Sequence, residues 1–153
     1  MMVSDKILKQ TPLFREHVAL QAKMVPFGGW EMPLQYQGIF AEYEATRRKV
    51  AVFDTSHMGE FFIEGDAGAT GLDAIVTQRI SDMPEKTCRY GAILNNAGGV
   101  KDDLIVYRLG SQRWMIVVNG ATMEKDAEHL TKHLLQKWQD RTVHHERFAS
   151  KKH

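Results

Sequence analysis

A single cysteine, Cys88, stands among 153 residues, so no intrachain disulfide is available to staple the fold. That usage fits a reducing, cytoplasmic setting. An excess of one charge is missing too: 20 basic residues face 19 acidic ones, a net charge of +1. The balance lacks the basic footprint of a nucleic-acid binder or a membrane-surface protein. The one basic cluster, Arg47-Arg48-Lys49, falls at the end of an expected helix, where cations suit the dipole. No apolar run approaches the length of a membrane span, about 20 residues. The opening residues, Met1-Met2-Val3-Ser4-Asp5-Lys6, lack the apolar core of a signal peptide and the Arg/Ser bias of a transit peptide. Internal repeats and low-complexity segments are absent as well. What is present is ordinary: 43% apolar and 25% charged residues, enough for one domain with a core, or a domain plus an arm.

The chain reads in two parts. Thr11-Pro12 makes a helix start, with Thr at the N-cap and Pro at the first helical position, and the helix is expected to about residue 22. Residues 24–38 mix aromatics with Gly and Pro and show no periodicity, which predicts a loop whose aromatics must pack on something. A second helix is expected over about Ile39 to Lys49. Residues 1–50 therefore read as an N-terminal arm of two helices and a loop. From Val50 the expected order is a short strand to Phe53, a strand from Gly59 to Glu64 and a helix over Ala69 to Gln78. Three strands follow, near Cys88–Leu94, Asp103–Leu109 and Arg113–Val118, and then a long helix to about Trp138. Its stripe is Met123, Ala127, Leu130, Leu134 and Trp138. Thr142 to Phe148 reads as a weak edge strand, and 149–153 as a frayed tail. Mixed order with hairpins predicts an α+β fold over 51–148, an antiparallel sheet with helices on one face.

Gly98-Gly99-Val100-Lys101-Asp102-Asp103-Leu104 is the most informative stretch. Two adjacent carboxylates opening a strand are locally unfavourable, since like charges repel and Asp is a poor strand residue. Either the pair is ordinary turn chemistry or an acidic group is needed at a turn mouth.

This stretch does not stand alone. Thr11-Pro12-Leu13-Phe14, the run from Lys23 through Gly28-Gly29-Trp30 to Pro33, Phe53-Asp54-Thr55-Ser56-His57-Met58-Gly59-Glu60, and Val117-Val118-Asn119-Gly120-Ala121 occur in order around it. Together these motifs resemble the aminomethyltransferase family, the T-protein of the glycine cleavage system, from about Leu8 to His133. The resemblance implies transfer of a one-carbon unit from an aminomethyl-lipoyl carrier protein (H-protein) to tetrahydrofolate, with release of ammonia. It implies Asp103 as the catalytic carboxylate, and Met58, Tyr90, Asp103 and Asn119 as folate contacts. It also implies a ferredoxin-like folate-binding domain preceded by the leading arm of another. Members of this family are more than twice as long and built as three domains, so only an N-terminal portion is matched. Lys101 departs from the family's usual apolar or small residue and is expected to pair with Asp102.

Bland readings stand beside these. His129 and His133, one helical turn apart, would suit two metal ligands, but no third follows at a convincing spacing and no metal site is expected. Gly65, Gly68 and Gly71 read as a turn into a helix rather than a phosphate loop. His57 reads as a hydrogen-bonded strand-end histidine, Trp30 and Tyr36 as anchors, and Cys88 as a strand-packed thiol. Two functions remain open: the enzyme, or a truncated, non-catalytic folate-binding or assembly module of the same family. Apolar surface left uncovered by missing domains predicts a homo-oligomer or a complementing chain.

Overall fold

The computed structural model describes residues 7–137. The fold is α+β. It divides between His57 and Met58 into two compact units.

The first unit is built on a three-stranded sheet. Strand β1 (Lys9–Gln10) runs parallel to β3 (Trp30–Gln35), and β2 (Lys23–Phe27) pairs antiparallel with β3. The expected loop over 24–38 is therefore a hairpin in its larger part. Its turn is Gly28-Gly29, both at positive φ (56° and 85°), between the paired residues Phe27 and Trp30. Gly-Gly is one of the pairs that suit a two-residue hairpin turn, and Pro26 and Pro33 in the strands masked it. Helix α1 (Phe14–Ala19) is shorter than expected. Thr11 does not cap it with its hydroxyl, which instead donates to Asp54. Helix α2 (Ile39–Arg48) has no buried residue, and Phe40 on it is 87% exposed. Its start is fixed by Glu42, whose Oε1 accepts from the N–H groups of Tyr36, Gln37 and Gly38. The hydrogen bond from Tyr36, foremost among these, holds the Glu42 carboxyl below its ordinary value. No strand forms over Val50 to Phe53, where Val50, Val52 and Phe53 lie exposed.

The second unit is a four-stranded antiparallel sheet. Its strands are β4 (Gly59–Glu64), β5 (Thr87–Leu94), β6 (Val100–Gly110) and β7 (Arg113–Val118), in spatial order β4-β7-β6-β5. Side chains alternate between the faces. Phe61, Ile63, Ile93, Leu104, Val106, Trp114, Ile116 and Val118 all point to one face and are buried. Leu130 and Leu134 of helix α3 (Met123–Lys137) close that face together with Leu72, Val76, Ile80 and Met83. The Trp114 indole N–H donates to the Gly65 carbonyl at 3.0 Å, so the largest core side chain also satisfies its polar atom.

Two further expectations need correction here. The helix over 69–78 shrinks to one 3-10 turn at Leu72–Ala74. Gly71 enters it at φ 78°, and the Asp73 carboxylate accepts from the N–H groups of Ile80 and Ser81, turning the chain away from a helix. Val76 makes an isolated bridge to Ile93 instead. Cys88 lies on β5 but is exposed rather than packed. Trp138, the edge strand over Thr142 to Phe148 and the tail at 149–153 lie outside the described residues.

Candidate functional site

Alternation along the strands decides what the far face of the second sheet carries. With Leu104 and Val106 in the core, Asp103, Ile105 and Tyr107 of β6 face the other way. Met115 and Val117 of β7 do the same, and the register sets them against Tyr107 and Ile105. These four apolar or aromatic side chains are half-buried and form a continuous floor. Tyr90 on β5 pairs with Ile105, and Asn119 follows β7 at the same end of the sheet.

At that end three of the four expected residues, Tyr90, Asp103 and Asn119, meet. The Tyr90 hydroxyl donates to Asp103 Oδ2 at 2.8 Å. The Asn119 side-chain amide donates to Asp103 Oδ1 at 2.9 Å. Asp103 is thus held by one donor on each oxygen, with lone pairs to spare on both. The Asp103 hydrogen bond is the foremost cause raising the Tyr90 phenol above its ordinary pKa, with desolvation and the Asp103 charge adding to it. The phenol stays a donor. Tyr90 is 66% exposed, so the clasp is open to solvent on that side. Met58 is half-buried and stands one residue before Gly59, which pairs with Val118 beside Asn119. No hydrogen bond ties it to the clasp.

Asp102 does more than shape a turn. Its side chain, 9% exposed, lies on the core side of β6, where it pairs with Ile93. Its Oδ1 accepts from the Asn119 amide and from the Asp103 backbone N–H, both at 2.8 Å. Burial opposes its charge, but hydrogen bonds from Thr122, Asn119 and the Asp103 N–H, with Asp126 adding, hold it well below the usual carboxylate range. The cation beside it is Lys125, 3.5 Å away, and not the neighbouring Lys101 as expected. The Lys101 carbonyl accepts from the Lys125 ammonium at 2.8 Å.

A second polar constellation lies in the first unit. Asp54 Oδ2 accepts from the Thr11 hydroxyl at 2.7 Å and from His17 Nε2 at 2.8 Å, while the Tyr36 hydroxyl meets His17 Nδ1 at 2.7 Å. The Asp54 and His17 side chains are 3% and 7% exposed. Burial opposes the Asp54 charge, yet the bonds from His17, Ser56 and Thr11 hold it far below the ordinary range. Tyr36, shifted upward by burial and by the charges of Asp54 and Glu42, remains a phenol. The chain borders an open cleft of about 680 Å³, lined in part by Leu13, Leu20 and Val52. Thr11, His17, Tyr36 and Asp54 are far apart in sequence, and no local pattern could have joined them. His57 is an aromatic contact instead of a hydrogen-bonded one: it packs edge-on to Phe27 and Trp30, with Nδ1 buried and unpartnered among the described residues.

His129 and His133 stack with ring centroids 4.1 Å apart beside a small cleft of about 300 Å³. Burial first, then the charges of Lys101, His133 and Lys132, press the His129 pKa down. Among the described residues, no group of three His, Cys, Asp or Glu side chains could hold a metal ion. No helix among them is long and apolar enough to cross a membrane.

The chain belongs to the GCVT N-terminal domain family, whose model matches residues 13–151. Within it, the chain is 44% identical over 126 residues to an aminomethyltransferase of Thermotoga sp. (strain RQ2), a match covering 82% of this chain and 35% of the relative. It is 45% identical over 129 residues to an aminomethyltransferase of Leptospira biflexa, covering 83% and 35%. The crystal structure of glycine cleavage system aminomethyltransferase T from Bartonella henselae superposes with a TM-score of 0.82 at 31% identity, covering 92% of this chain and 38% of that one. The chain therefore spans about a third of the length of the curated relatives it matches.

Proposed function

We propose that this chain binds tetrahydrofolate at the Asp103 clasp and contributes that site to aminomethyl transfer. In this reading Asp103 is the catalytic carboxylate, and Met58, Tyr90 and Asn119 are folate contacts. The observation that carries it is the pair of donors on Asp103, Tyr90 on one oxygen and Asn119 on the other. A pterin is flat and edged with N–H groups. It needs an apolar surface to lie on and a few fixed polar partners at its rim. The half-buried row of Ile105, Tyr107, Met115 and Val117 supplies the first, and Asp103 with its spare lone pairs the second. Tetrahydrofolate brings the amine that accepts the one-carbon unit. The residues of this chain hold and orient it, and place a negative charge where positive charge develops.

The implied donor is a lipoyl carrier protein (H-protein), and the reducing cytoplasm suits an exposed Cys88. Exposed Ile39, Phe40 and Tyr43 on α2 favour a homo-oligomer or a complementing chain, so the apparent mass in gel filtration should rise with concentration. A second reading, a folate-binding or assembly module without turnover, draws on the exposure of Tyr90, since an open clasp gives a ligand fewer contacts to offset its ordering.

The test is calorimetry of tetrahydrofolate binding, with wild type against Asp103→Ala. Loss of a hydrogen-bonded charge should cost about 1.5–3 kcal/mol, about tenfold to a hundredfold in affinity. Equal affinity in both proteins would refute the assignment. Binding without folate-dependent ammonia release would select the second reading.

A further inference from the structure

Asp126 is the least expected side chain in the second unit. It sits on α3 in line with Leu130 and Leu134, on the face that enters the core, and it is 0% exposed. Neither of its carboxyl oxygens finds a donor at hydrogen-bonding geometry among the described residues. The group that meets it is another carboxyl, Asp102, whose Oδ2 is buried and has only the looser contact of the Lys125 ammonium at 3.5 Å. Two buried carboxylate oxygens face each other comfortably only when one holds a proton. The far oxygen of Asp102 is the acceptor for Asn119, and Asn119 holds Asp103.

We propose that Asp126 is a positioning residue for Asp103: a proton shared by the carboxyls of Asp126 and Asp102 locks α3 to β6 and keeps Asn119 turned toward Asp103. This rests on the reading of Asp103 as the folate-binding carboxylate.

The surroundings set the direction of its pH dependence. Burial, the hydrogen bond with Asp102 and the Asp102 charge push the Asp126 carboxyl up to about 6, against the opposing pull of Thr122 and Lys125. Lys125 is the facing cation, 3.5 Å from Asp102 and 3.9 Å from Asp126. Asp103 acts on the pair through Asn119, whereas Lys101 turns its carbonyl to Lys125 and exerts its charge on His129 further along α3. Because the folded value is raised, the lock is complete below the ordinary carboxylate range and is lost as pH rises through about 6. Above that, two anions share one buried site and repel.

The experiment is a carbon-13 carboxyl titration of the whole chain by NMR, read together with the Asn119 side-chain amide and without any folate. The expected result is an Asp126 midpoint near 6, with the Asn119 amide signal moving at the same midpoint. In Asp126→Asn, whose amide still donates to Asp102, the Asn119 signal should be flat over that range. In Asp126→Leu it should stay at its high-pH position. An Asp126 midpoint in the ordinary carboxylate range, or an Asn119 signal that ignores it, would overturn the proposal. The wild-type titration alone decides this even if a variant fails to fold. Tetrahydrofolate calorimetry at pH 5 and pH 8 then separates the two readings. Affinity that falls at high pH in wild type but not in Asp126→Asn supports the lock. The expected titration without folate binding at either pH also supports the lock and counts against the folate assignment instead.

Discussion

Asp54→Ala will cost the first unit about 3 kcal/mol or more. Two buried donors, the Thr11 hydroxyl and His17 Nε2–H, converge on one oxygen of Asp54. A buried donor left unpaired costs about 1–3 kcal/mol. The unit has little else to spare, since among its described residues only Thr11, His17 and Met32 are buried as whole residues, with the Asp54 carboxylate beside them. Amide exchange over β2 and β3 should show the loss, with protection falling to that of a locally open segment. Asp54→Asn keeps an acceptor and should lose less. The pH dependence has a definite sign. The folded carboxyl lies below its unfolded value, so its contribution is present above the unfolded pKa, about 3.9, and disappears as pH falls through the folded one. Wild type should therefore lose protection in this unit below about pH 4, and Asp54→Asn should not show that step. Equal acid sensitivity in the two proteins would mean that Asp54 carries no special charge.

Asn119→Ala should have the largest effect in the second unit short of removing its core. One side-chain amide donates to both Asp102 and Asp103. Without it, two neighbouring carboxylates keep their mutual repulsion and lose their shared donor. Each lost bond to a charged group is worth about 1.5–3 kcal/mol. Unfolding in urea should register at least one such loss, and tetrahydrofolate affinity should drop at least about tenfold for each 1.4 kcal/mol of clasp lost. Asn119→Asp should be worse, because it adds a third anion. A variant as stable as wild type, with unchanged affinity, would show that the amide merely fills space.

What could be read from the sequence follows the reach of each signal. β4 and β7 were expected over Gly59 to Glu64 and Arg113 to Val118, and they lie there, because the apolar residues alternate with period two and one face must be buried. The α3 stripe of Leu130 and Leu134 works the same way. The hairpin around Gly28-Gly29 was missed because Pro26 and Pro33 weigh against strands when counted one by one, whereas tertiary pairing tolerates them. The helix over 69–78 failed for the opposite reason: its apolar spacing is helical, but Gly71 and Asp73 reroute the backbone.

The clasp was only half legible. Adjacent Asp102 and Asp103 stood out as an oddity, and strand alternation sends them to opposite faces. Tyr90 and Asn119 came from resemblance, since nothing in local pattern joins residues 90, 103 and 119. Asp126 did carry a signal, an acid in register with Leu130 and Leu134, that an apolar stripe alone does not explain. The chain from Thr11 through Asp54 and His17 to Tyr36 carried none, because its members meet only in three dimensions.

One measurement bears most directly on the folate site: NMR of the whole chain during addition of tetrahydrofolate, following the Met58 methyl, the Tyr90 ring and the Asn119 side-chain amide. The account predicts that these three signals shift together and saturate, and that the saturation disappears in Asp103→Ala. Saturating shifts confined to another place, such as the cleft beside His17 and Tyr36, or no saturable shift at all, would contradict it.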